Sequence, residues 1–226
     1  MSANTSSAVM AQRHEPHDSL EDFPTSPWAT RALIEYVIHD MWRNSVACDP
    51  ACNRGYMVHA LKEYFLHVLA SDIFDYGYGF EVCDYLFGDQ RIPADWIITN
   101  PPFRLAEQFI EQAMAKVKVG FAMFVRTSFL ESVGRYQSLF SKNPPAIVAQ
   151  FSERVVLHKG ICRDPNIKYL DKQTGKMKKP TTATSYCWMV WIKGHTGPTE
   201  LVWIPPCRKT LERPGDYDLV SLKECD

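Results

Sequence analysis

Between residues 27 and 151, short runs rich in β-branched and aromatic residues alternate with stretches of helical periodicity, which leaves few folds open. Ser45-Val46-Ala47-Cys48, His67 to Ser71, Phe80 to Cys83, Trp96 to Thr99, Gly120 to Val125 and Ala146 to Phe151 read as strands. Helices are expected from Pro27 to about Met41, Tyr56 to Phe65, Leu105 to Val117 and Phe129 to about Leu139. Ser26 is the expected N-cap of the first, Pro27 suits its first turn, and Leu33, Ile34, Val37, Ile38 and Met41 form its apolar stripe. Such alternation builds a mostly parallel sheet with helices on both faces. Residues 152 to 185 break the rhythm before a seventh strand, Tyr186 to Ile192, and a further candidate, Leu201 to Ile204.

A chain of 226 residues suffices for one α/β domain with a full core. The start, MSANTSSAVMAQRHEPHDSLEDF, lacks the charged and apolar regions of a secretory signal, so residues 1–22 read as a polar, flexible leader. No apolar run approaches the roughly 20 residues that span a bilayer. The seven cysteines are scattered and form no CxxC. Cys48 and Cys52 lack a second pair, so buried reduced thiols are expected rather than a metal site.

The net charge of −1 hides an asymmetry: residues 1–149 carry −5 and residues 150–226 carry +4. Seven cations, Lys159, Arg163, Lys168, Lys172, Lys176, Lys178 and Lys179, fall within 159–179 beside two acidic residues. Either an anionic partner or a solvated lysine-rich loop accounts for them.

In an open parallel sheet, ligands bind at the C-terminal ends of the strands. Asp49, Asp72, Asp84 and Asn100 close four successive strands. After Asp49, the turn Pro50-Ala51-Cys52-Asn53-Arg54-Gly55 leads into a helix, the shape of a nucleotide-binding corner. Gly55 permits close backbone approach or a positive φ. Asp72, 17 residues further on at the second strand end, stands where a ribose diol is usually held. The fourth strand runs into Asn100-Pro101-Pro102-Phe103. Two prolines remove two N–H groups and fix a rigid corner. The Asn100 side-chain oxygen beside the Pro101 carbonyl makes two acceptors suited to one –NH₂ group, and Phe103 offers a flat face to a base.

DWIITNPPF (95–103) resembles the catalytic motif of the amino-group DNA methyltransferases, written (D/N/S)PP(Y/F/W). FPTSPWATRALIEYV (23–37), DPACNRGYM (49–57), ASD ending at Asp72 and CDYLF (83–87) resemble the cofactor motifs of the N6-adenine class with the gamma order. GFAMFVRTSFLES (120–132) resembles the strand and loop after the catalytic motif. TATSYCWMVW (182–191) and WIPPCRKTLERPGDYD (203–218) resemble small phage- and prophage-borne members. The resemblance runs from about residue 23 to 218 and departs at Asn53, where the family often has glycine.

The resemblance implies a Rossmann-like class I S-adenosylmethionine-dependent methyltransferase. Its sheet would be seven-stranded and mostly parallel with a terminal antiparallel hairpin, in a single domain spanning 23–226. It implies that Phe23, Thr25 and Pro27 hold the methionine end of S-adenosylmethionine and that Asp49, Pro50 and Gly55 line the loop beneath it. Asp72 would take the ribose hydroxyls, Asp84 the adenine amine, and Tyr85 the adenine ring. Asn100 and Pro101, with Pro102 fixing the corner, would receive the target amine, and Phe103 would stack on the base. Phe151, Tyr169 and Tyr186 are the candidates for a second clamping aromatic.

The implied reaction is methyl transfer to N6 of a flipped-out adenine in DNA, in the cytoplasm of a bacterial or phage-infected cell, with no metal and no membrane partner. The basic segment would meet the phosphate backbone, helped by Arg208 and Lys209. RNA, cytosine N4 and protein glutamine are the alternative acceptors. A catalytically silent nucleic-acid-binding protein of the same fold is the alternative of another class.

Overall fold

The computed structural model describes residues 20–87, 93–171 and 174–218. Eight strands form one sheet: β1 (Val46–Asp49), β2 (His67–Asp72), β3 (Glu81–Val82), β4 (Trp96–Thr99), β5 (Gly120–Arg126), β6 (Ile147–Phe151), β9 (Tyr186–Ile192) and β10 (Glu200–Ile204). A separate antiparallel ribbon, β7 (Tyr169–Asp171) with β8 (Lys176–Lys178), rises from the long segment between β6 and β9. The helices are α1 (Pro27–Leu33), α2 (Tyr56–Leu61), α3 (Ala106–Lys116), α4 (Val133–Arg135) and α5 (Arg208–Leu211).

The strand order is β10-β6-β9-β5-β4-β1-β2-β3. From β1 the chain builds outward through β2 and β3, then returns to lay β4 and β5 on the other side. All these neighbours are parallel; β9 alone runs antiparallel, between β5 and β6. The change of direction leaves a crevice between the C-terminal ends of β1 and β4.

Period-two alternation explains why the sheet is buried on both faces. Trp96 and Ile98 of β4, Ala122 and Phe124 of β5, and Trp188 and Val190 of β9 pack with Trp28, Leu33 and Leu61. The intervening residues Ile97, Phe121, Met123, Met189 and Trp191 pack with Phe109, Ile110 and Ala113 of α3. Among the described residues no helix is long and apolar enough to cross a membrane.

Several expectations are corrected. Among the described residues the sheet has eight strands rather than seven, because Glu200–Ile204 joins it parallel to β6 instead of turning back on β9, whose antiparallel neighbours are β5 and β6. The first helix changes pitch after Leu33, passing through a π-helical turn, Ile34–Ile38, and a 3-10 turn, His39–Trp42. His39 adopts φ 42°, which rotates Met41 out of the apolar stripe and leaves it exposed. The Ser26 hydroxyl does not cap α1; it lies 3.5 Å from the Cys162 thiol. The helix expected from Phe129 is divided into a 3-10 turn, α4 and a π-helical turn.

Candidate methyl-transfer site

A cavity of about 430 Å³ opens at the crevice between β1 and β4. Phe23, Thr25, Asp49, Pro50, Asp72, Asp84, Tyr85, Asn100 and Pro102 all reach its wall, although they come from five separate stretches of chain. Pro27, Gly55, Pro101 and Phe103 do not line it: Pro27 opens α1, Gly55 opens α2, and the last two flank the corner.

At the Asn100–Phe103 corner, the Asn100 amide nitrogen donates to the Phe23 carbonyl at 2.9 Å. A carbonyl can only accept, so this bond fixes which end of the amide points where. The Asn100 Oδ1 atom is left buried and without a hydrogen-bond partner. The Pro102 carbonyl accepts from the Leu105 amide at 2.9 Å, closing the turn that leads into α3. Buried oxygens without partners also occur on Thr25 and Tyr85 in the same wall. Native interiors seldom leave such atoms unpaired, and three in one cavity mark it as a ligand site.

Two strand-end carboxylates order the loops around the cavity. Asp72 accepts from the Asn53 amide at 2.8 Å and the Phe74 amide at 3.1 Å. Asp84 accepts from the Leu86 amide at 2.9 Å. Asn53 sits at φ 53° and Gly55 at φ 89°. Asparagine is among the few residues besides glycine that tolerate the left-handed region, which accounts for Asn53 at a position the family often gives to glycine. A Cβ on Gly55 would lie 2.4 Å from the Phe80 ring.

Four carboxylates, Glu21, Asp49, Asp72 and Asp84, face the cavity, and among the described residues no lysine, arginine or histidine lines it. Burial pushes Asp49 up to about 7, opposed by its bond from the Ala51 amide, and also raises Asp72. This set of acceptors, with apolar walls, fits a ligand that carries positive charge, a diol and a flat ring.

Some of the contributing residues gave no signal in the sequence. Glu21 lines the cavity and pairs with Arg104, and Asp22 accepts from Arg54 at 2.6 Å and from the Asn53 side chain at 2.8 Å. The Asp22 carbonyl also accepts from the Gly160 amide at 2.8 Å. The end of the expected leader is therefore a strap joining the β1–α2 loop, Arg104 after the proline corner, and the basic segment at Gly160. Arg126, at the end of β5, places its guanidinium carbon 4.2 Å above the centre of the Phe103 ring. None of these contacts has a local sequence signature.

Of the clamp candidates, Phe151 belongs to the core against Trp28 and Phe124. Tyr186 is buried, stacked on Phe124, with its ring centre 6.1 Å from that of Phe103. Tyr169 lies on the β7–β8 ribbon.

Among the basic residues, Lys159, Lys168, Lys176 and Lys179 are exposed, Lys178 is paired with Asp171, and Arg163 lies 4.0 Å over the Tyr169 ring. Lys172 lies outside the described residues. Lys209 is exposed, whereas Arg208 is held by Glu153 and Glu212 and is committed to the protein rather than to a phosphate.

No protein-family model matches the chain, and no curated protein matches its sequence. Solved structures do match in fold. A Listeria monocytogenes protein assigned to the class I S-adenosylmethionine-dependent methyltransferases aligns over 96% of this chain and 74% of its own, at 14% identity and a TM-score of 0.51. A Pyrococcus horikoshii protein assigned as an RNA methyltransferase aligns over 82% of this chain and 95% of its own, at 15% identity and a TM-score of 0.49. The strand order, the crevice at its reversal and the first of these likenesses agree: this chain has the class I S-adenosylmethionine-dependent methyltransferase fold.

Proposed function

We propose that this protein transfers a methyl group from S-adenosylmethionine to the exocyclic N6 amine of an adenine in DNA. The observation that carries the reading is Asn100, whose amide is anchored by the Phe23 carbonyl so that its oxygen stays buried, unpaired and fixed in direction. Such an acceptor is costly unless a donor arrives to meet it. An amine provides that donor.

The cofactor supplies an electrophilic sulfonium methyl. Asp72 and Asp84 would hold its ribose and adenine, and Asp49 would face its positive charge. Asn100 Oδ1 and the Pro101 carbonyl would accept hydrogen bonds from the two amine N–H groups. That pulls the amine lone pair out of conjugation with the ring and aims it at the methyl group. As the N–CH₃ bond forms the S–CH₃ bond breaks, S-adenosylhomocysteine is the leaving group, and the displaced amine proton passes to solvent. Positioning and fixed dipoles supply the acceleration. The target base must leave its stack, at a cost of about a few kcal/mol, and stacking on Phe103 returns roughly 1–3 kcal/mol. The Arg126 guanidinium, 4.2 Å over the Phe103 ring, supports this reading, because that ring face accepts a flat group. Exposed cations on the 159–179 segment would hold the phosphate backbone.

The test incubates the protein with methyl-labelled S-adenosylmethionine and, separately, unmethylated duplex DNA, structured RNA and a protein extract. Each product is digested and the labelled component identified. N6-methyladenine from DNA alone is the expected outcome. Label confined to RNA, cytosine or glutamine would replace the acceptor and keep the chemistry. Cofactor binding without label on any acceptor would overturn the reading.

A further inference from the structure

The β7–β8 ribbon has two unlike faces. Residues directly opposite in an antiparallel pair share a face, and successive residues alternate. Tyr169 pairs with Lys178 and Asp171 with Lys176; Leu170 pairs with Met177 between them. The Tyr169 ring meets His158 at 5.7 Å and Arg163 at 4.0 Å, so its face is turned toward the rest of the chain. The Leu170–Met177 face is turned away. These two apolar side chains stand 60% and 58% exposed. One residue beyond the paired positions, Lys168 and Lys179 fall on the same alternation, and both are exposed.

We propose that Leu170 and Met177 form an apolar wedge that enters the base stack of duplex DNA. Two exposed apolar side chains cost free energy in water without a partner, and two are far too few for a stable protein–protein interface. They match the size of one base step, the place where Leu, Ile and Met side chains unstack a duplex. The flanking lysines match the phosphates on either side of that step. The segment that carries the ribbon is tied at Gly160 to Asp22, the neighbour of Glu21 in the cavity wall, and Tyr169 holds the ribbon to that segment through His158 and Arg163. The inference rests on the nucleic-acid reading above, and it adds the device that would free the target base from its stack.

The test measures binding rather than methyl transfer, so it stands apart from the identity of the methylated base. Fluorescence anisotropy compares an intact random-sequence DNA duplex with the same duplex carrying one abasic site. A wedge no longer has to unstack a step at the gap. The wild-type protein should therefore bind the gapped duplex about tenfold more tightly. Leu170→Ala/Met177→Ala should lose that preference while keeping its melting temperature and the salt dependence of binding. Leu170→Met/Met177→Leu should retain the preference. Equal wild-type binding to both duplexes, or a preference that survives in the double alanine variant, would overturn the wedge. So would a double alanine variant that loses affinity for both duplexes equally, because the ribbon would then act only as a backbone contact. Methyl transfer failing on DNA while the gap preference holds would overturn the proposed acceptor and leave the wedge standing.

Discussion

Asn100 gains its chemical meaning from one bond. Its amide is engaged by Phe23 and its oxygen is not engaged at all. Asn100→Ala should therefore lower methyl transfer by about 10²–10³-fold, as loss of one preorganised polar group does, while calorimetric cofactor affinity stays within about twofold. The corner at this residue was legible in the sequence, because two prolines lack the N–H groups that would continue a strand ladder. Its orienting partner was not, because Phe23 lies 77 residues away and acts through its backbone. Asp49 carries a second prediction at this scale. Burial raises its carboxyl to about 7, so below that pH it holds a proton that a cationic ligand must expel. Affinity for S-adenosylmethionine should rise with pH toward 7, by up to about tenfold per unit, and flatten above it. Asp49→Asn should remove the slope in calorimetry across the neutral range.

At the scale of elements, the loop between β1 and α2 depends on two left-handed residues, Asn53 and Gly55. Gly55→Ala would add backbone strain of about 1–3 kcal/mol and press on Phe80, an aromatic ring that can swing aside. Thermal unfolding should fall accordingly, and cofactor affinity should fall with it because the loop carries the Asn53 amide that Asp72 holds. The β7–β8 ribbon offers the contrasting case, since in the proposed function its cations serve binding rather than folding. Lys176→Ala and Lys179→Ala should each reduce the salt slope of DNA binding by about one, and Lys178→Ala by less, because Lys178 already pairs with Asp171. Melting temperature should not move. The strands and α3 were readable from periodicity, because each buries alternate or every-third residues. The breaks in the first and fourth expected helices were not, because a single backbone setting such as φ 42° at His39 leaves the hydrophobic pattern intact.

At the scale of the whole molecule, one buried charge cluster ties the first helix to the far end of the described chain. Arg31 is fully buried, paired at 2.7 Å with Glu63 past α2 and at 2.7 Å with Asp216 after α5, and it donates to the Leu211 carbonyl. Its partners outweigh the burial that alone would lower its proton affinity. Arg31→Met should cost about 3–5 kcal/mol in denaturant unfolding, because Asp216 would be left as a buried unpaired charge. Adding Asp216→Leu should recover part of that loss.

The sequence by itself determined the α/β alternation, the two proline-bearing and glycine-bearing corners and the acidic strand ends. All of these are local, and local patterns survive without knowledge of distant partners. Only the tertiary structure decided that Glu21 and Asp22 belong to the site, that Arg208 is bound by carboxylates, that β10 lies beside β6, and that Phe151 is core rather than clamp. Each of those rests on a contact between residues at least 31 positions apart or on the order of strands. Neither leaves a periodic trace, because burial and hydrogen bonding constrain the type of residue at a position and not the identity of its neighbour.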